Sequence, residues 1–97
     1  MSRNITNYYN TDFTYDGYIG FPQGKIKLGD STTGQTNQGL NSIAIGSNSG
    51  SNNQGGTSIS IGNSAAQYSQ GTNSVAIGNQ AGQNSQGSNS VAIGVLA

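Results

Sequence analysis

The sequence predicts an all-β fold, a parallel β-solenoid of about five 16-residue coils. Three observations carry that expectation. One phrase occurs four times, as QGLNSIAIG (38–46), QGGTSISIG (54–62), QGTNSVAIG (70–78) and QGSNSVAIG (86–94), so that Gln38, Gln54, Gln70 and Gln86 stand 16 residues apart. A short fixed period marks an array in which each copy is one rung and the rungs bury one another. Each phrase carries a β-branched, alternating triplet closed by glycine, which reads as a strand of about three to five residues. The residue between the two aliphatics is small in every copy: Ala44, Ser60, Ala76 and Ala92.

Residues 1–22 lie outside the repeat. Six of the seven aromatic residues fall there: Tyr8, Tyr9, Phe13, Tyr15, Tyr18 and Phe21. All six formal charges lie in the first 30 residues, at Arg3, Asp12, Asp16, Lys25, Lys27 and Asp30. This shift in composition is the one internal boundary. The aromatic segment reads either as a cap over the first rung or as an anchor to a partner, since Tyr-rich segments supply contact area at low entropic cost.

Residues 23–97 are the repeats, with strands expected near 26–28, 43–45, 59–61, 75–77 and 91–93. The first rung is irregular: Ile26 and Leu28 precede Ile43 and Ile45 by 17 residues, and the turn Thr32-Thr33-Gly34 is the expected place of the extra one. Glycine ends every apolar run too early for a helix. The glycine after each strand suits a turn with φ > 0, and the Gln-Gly before it is expected to do the same at the other corner. The small pairs Ser49-Gly50, Ala65-Ala66 and Ala81-Gly82 are expected to mark a second, shorter strand or a bend. The last rung breaks off at Val95-Leu96-Ala97, which leaves either a docked end or a fragment of a longer array.

Neighbours along a strand point to opposite faces. Small against small suits the inside of a narrow coil, so the Ala/Ser slot is expected inside. The larger stripe, Ile43, Ile45, Ile59, Ile61, Val75, Ile77, Val91 and Ile93, is then expected outside. The reverse facing stays open on the sequence. Lys27 in the small slot of the first rung suits an end coil, where a long side chain escapes to solvent. An outward aliphatic ribbon needs a partner, and association is one common remedy for a small core. A homo-oligomer is therefore expected, with the ribbons of parallel chains meeting on an axis.

Composition argues against chemistry. The chain has no His and no Cys, and its three acidic residues are all Asp, which removes the usual triads and most metal sites. No catalytic residue, metal or cofactor is expected. Asp12 and Asp16 are the remaining candidates for a sugar or Ca²⁺ contact. No phosphate-binding glycine motif occurs. A net charge of zero offers no basic patch for nucleic acid, and no apolar run is long enough to span a membrane. Ice binding would ask for a regular Thr-x-Thr rank, which is missing.

The phrases NSIAIG (41–46), NSVAIG (73–78) and NSVAIG (89–94), with the looser TSISIG (57–62) and the trailing Ala81-Gly82, resemble the head repeats of trimeric autotransporter adhesins of the YadA type. The likeness covers roughly residues 38–97. It implies a left-handed β-roll, three chains side by side as a homotrimer, and an adhesive or structural task without an active site. The 16-residue form with Gln-Gly before the strand is similar to repeats in fibre and structural proteins of large DNA viruses and phages. A start at Met1 without an export signal fits a virion location better than secretion. The expected function is thus a non-enzymatic virion fibre or capsid-associated module, anchored to other structural proteins by its N-terminal segment. The alternatives are a bacterial surface adhesin head fragment and a self-assembling extracellular β filament.

Overall fold

The computed structural model describes residues 20–97, and these form the β-solenoid. Five strands make one parallel sheet in the order β1 (Ile26–Leu28), β2 (Ile43–Ile45), β4 (Ile59–Ile61), β6 (Val75–Ile77) and β7 (Val91–Ile93). A second, two-stranded parallel sheet pairs β3 (Asn52–Gln54) with β5 (Tyr68–Gln70) across the coils. The five strands of the larger sheet fall where the alternating triplets place them. Register steps by one repeat each time: Ile43 pairs with Ile59, Ile59 with Val75 and Val75 with Val91. The first step pairs Ile26 with Ile43, one residue longer.

The facing follows the small-inside assignment. Ala44, Ser60 and Ala76 are completely buried, while the aliphatics beside them are half-buried on the outer side. The largest completely buried side chains are serines, namely Ser42, Ser49, Ser58, Ser60 and Ser74. The apolar centre is correspondingly slight, formed by Ala65, Ala66, Ala76 and Ala81 with Ala92 against them. The two walls touch directly. Ser49 Oγ sits 2.8 Å from both the backbone oxygen and the hydroxyl of Ser60, and a Cβ built on Gly82 would lie 3.4 Å from the Ala76 Cβ.

The glutamines that open each phrase turn inward and brace the coil. Gln38, Gln54 and Gln70 are at most 5 % exposed. Each Nε2 donates across the interior to a strand carbonyl: Gln38 to Ile26 (2.9 Å), Gln54 to Ile43 (2.7 Å), Gln70 to Ile59 (2.9 Å) and Gln86 to Val75 (2.8 Å). A buried amide is stable only when hydrogen-bonded, and the open carbonyl on the inner side of the strand is the partner at hand. The serine before each strand closes the corner, donating to the carbonyl three residues earlier: Ser42 to Gly39 (2.7 Å), Ser58 to Gly55, Ser74 to Gly71 (2.6 Å) and Ser90 to Gly87 (2.5 Å).

Two local expectations are corrected and a third is narrowed. The corner glycines Gly39, Gly55, Gly71 and Gly87 do not adopt positive φ; that conformation falls two residues later, on Asn41, Thr57, Asn73 and Asn89 (φ 49° to 56°). Asn tolerates the left-handed region because its short polar side chain bonds locally. Gly55 and Gly71 are glycine for a different reason, since a Cβ would meet backbone of the next coil at 2.5 Å and 2.4 Å. The small pairs form tight turns, and the second strand starts two residues after them, at Asn52 and Tyr68. The extra residue of the first coil lies at Gly29–Asp30, ahead of the Thr32-Thr33-Gly34 turn. The Thr33 N–H donates to the Asp30 carbonyl as Ser49 donates to Gly46, so the turn is already in the 16-residue register.

Ala76→Leu has no room and is expected to cost at least ~3 kcal/mol, measured by urea unfolding followed by circular dichroism. Gln70→Glu places a carboxylate oxygen against the Ile59 carbonyl in a dry interior. Burial raises the pKa of such a carboxyl, so its protonated form is the one that fits. Stability of this variant is expected to be greatest below the ordinary carboxylate pKa and to fall as pH rises through the raised one. Unchanged stability between mildly acidic and neutral pH would refute the brace.

Candidate interaction surface

With the small slot inside, the flanking aliphatics form two columns on the outer side of the five-stranded sheet. Ile43, Ile59, Val75 and Val91 make one column, and Ile45, Ile61, Ile77 and Ile93 the other. Strand spacing sets successive members ~4.8 Å apart. Each side chain therefore packs on its column neighbours and leaves its outer flank open, which is why the middle six are half-buried. Val91 and Ile93, at the final coil, are 68 % and 63 % exposed. No charged residue occurs after Asp30, so the ribbon carries no charge beyond the first coil.

Two further residues belong to this surface. Ile26 pairs with Ile43 and Leu28 with Ile45, so the columns extend onto β1, where Leu28 is 50 % exposed. The same alternation in KIKL marks them in the sequence; the 17-residue offset sets them apart from the regular copies. Leu40, Tyr68, Val95 and Leu96 are also exposed, but Leu40 has Gly56 one repeat on and Tyr68 has Asn52 and Asn84 on either side, so neither belongs to an aliphatic column. The other outward columns are polar. Asn37 donates to Asn53 at 2.9 Å and Gln83 to Gln67 at 2.9 Å, each across one repeat. Such amide ladders tie coil to coil and satisfy themselves.

Phe21 is half-buried at the start of a 3₁₀ turn over Pro22–Gly24, and its carbonyl accepts from the Gly24 N–H at 3.0 Å. The other aromatics proposed as an anchor, Tyr8, Tyr9, Phe13, Tyr15 and Tyr18, lie outside the described residues, as do Asp12 and Asp16. Among the described residues no group of three or more His, Cys, Asp or Glu side chains comes together, and no helix is long and apolar enough to cross a membrane. The remaining acidic side chain, Asp30, is exposed. The Thr32 hydroxyl (2.6 Å) and then the Thr32 N–H (2.9 Å) hold its carboxyl below the usual carboxylate pKa.

No protein-family model, curated protein or solved structure matches this chain. The likeness to adhesin heads accordingly rests on the repeated phrases alone. The geometry offers a two-column aliphatic strip along the outer face of the five-stranded sheet.

Proposed function

We propose that this chain is a non-enzymatic structural or adhesive module that works as a homotrimer, with the Ile/Val ribbons of its copies packed together on a common axis. The observation that carries this reading is the outward ribbon. Aliphatic residues in two unbroken columns along a solenoid with a slight apolar centre of its own gain most from burial against a like surface. Parallel copies bring equivalent columns level with one another, coil for coil. The setting we favour is a virion fibre or a capsid-associated assembly, with the Tyr-rich N-terminal segment as the anchor to other structural proteins. The left-handed roll and three-fold arrangement implied by the adhesin-like phrases fit the same reading. A bacterial adhesin head would use the ribbon in the same way.

Light scattering of the purified chain over a range of concentrations checks the assembly. A stable mass of three chains is expected. Replacing the central ribbon residues, Ile61→Ser with Ile77→Ser, is expected to reduce it to one chain while the β signal in circular dichroism persists, because neither side chain points into the coil. A single-chain mass for the unaltered protein at high concentration would refute the proposal.

A further inference from the structure

The two ends of the solenoid are built differently. In every regular coil the N–H groups that face the preceding coil donate to it. Asn41 donates to the Gln23 carbonyl, Thr57 to Leu40, Asn73 to Gly56 and Asn89 to Thr72, and in the next turn Ser64 donates to Ser47, Gln80 to Asn63 and Leu96 to Asn79. The first coil takes two of these groups, one at the corner and one in the turn after β1, back into itself. At the corner, Gly24 stands one register step before Asn41, and its N–H donates to Phe21 within the 3₁₀ turn (3.0 Å). In the turn after β1, Thr32 stands 16 residues before Asn48, and its N–H donates to the Asp30 carboxylate at 2.9 Å.

The interior slot is changed as well. Lys27 pairs in register with the buried Ala44, at the head of the column of small residues, yet it is itself exposed. Its stem runs over the coil mouth, with the Cγ 3.2 Å from where a Cβ on Gly34 would sit. A coil stacked beneath would enclose the ammonium in a space sized for a methyl group, away from water, where an unpaired charge is very unfavourable. The last described coil, at β7, carries no charge in that slot. Val91 and Ile93 are exposed, Ala92 holds the slot, and the corner glycine Gly87 has nothing within 4 Å of its would-be Cβ, although the same glycine in the coils below makes room for a coil above.

We infer that residues 21–33 are a built-in cap, in which Lys27 and Asp30 prevent a second copy of this chain from stacking its first coil on the β7 coil of another. Edge strands that keep a charge in an inward position are a known defence against such pairing, and repeat arrays depend on polar terminal coils for solubility. Without the guard, β1 of one copy and β7 of another offer the same alternation, Ile-x-Leu over Val-Ala-Ile, and the stack continues.

The test uses the full 97-residue chain. Sedimentation and electron microscopy are applied to the unaltered protein and to three variants. The unaltered protein and Lys27→Arg are expected to hold a fixed mass across concentrations. Lys27→Ala combined with Asp30→Ala is expected to grow with concentration into rods many-fold longer than one solenoid, with a ~4.8 Å axial repeat. Adding Ala92→Lys to that pair places a charge in the slot at the opposite end and is expected to return the mass to that of the unaltered protein. Open-ended growth of the unaltered protein, a fixed mass for the double variant with its β signal intact, or growth that survives Ala92→Lys would each overturn the inference. Lateral association through the ribbon gives a fixed mass, so its failure reads as a change in that mass and is distinct from rod growth.

Discussion

The width of the coil interior is the constraint on which everything else depends. Strand and opposite turn stand so close that Ser49 reaches Ser60 at 2.8 Å and the Ala76 methyl faces Gly82. That distance admits a hydrogen, a methyl or a hydroxyl. The aliphatic side chains that would fill an ordinary core are displaced to the outer face of the same strands. What remains inside is held by hydrogen bonds: backbone ladders between coils, a serine at each corner and a glutamine across each coil. The glutamine is the one long side chain the interior accepts. Its amide ends on a strand carbonyl of the same coil's opposite wall.

Many constraints on one coil come from the next. A Cβ on Gly62 would meet the Gly78 carbonyl at 2.7 Å, and one on Gly55 would meet Gly71 at 2.5 Å, whereas at Gly87 the space is open. Gly55 is required by stacking alone and Gly62 by both stacking and its own φ of 128°, as expected of an architecture in which each unit touches only its neighbours. Positive φ is distributed likewise: Gly46, Gly62, Gly78 and Gly94 carry it after the strand and asparagine or threonine carries it before. Thr57 is the least comfortable of these, a β-branched residue at φ 49° where three coils have Asn.

This division explains what was legible in the amino-acid order. Strand positions and register follow from the alternation and the period, and the small slot favours one facing without excluding the other; both signals depend only on the strand and its opposite wall. The buried glutamines were harder to place because a single amide reads as surface in isolation; their recurrence at one position in four copies, amid neighbours that vary, was the available signal. The corner glycines misled because glycine answers two different needs, positive φ and close approach, and only the stacked coils distinguish them. The additional residue of the first coil reads a few positions late in the sequence because Thr32 and Thr33 look like an insertion, although they occupy the slots of Asn48 and Ser49.

The displaced aliphatics and the differing ends together limit how such a chain associates. A solenoid can grow along its axis by adding coils or sideways by covering a face. Axial growth relies on unsatisfied backbone groups and an uncharged slot, and the first coil limits both: two of its facing N–H groups, at Gly24 and Thr32, are bonded within the coil, and Lys27 stands in the slot. Sideways association relies on apolar area, which the columns of Ile and Val present along every coil. All the charged residues in the described part belong to the first coil region, at Lys25, Lys27 and Asp30, and none to the ribbon beyond it. Charge is thus concentrated on the first coil and absent from the ribbon beyond it. On the proposed reading, the same narrow coil that expels its aliphatic side chains also selects a closed, side-by-side assembly over an open fibre.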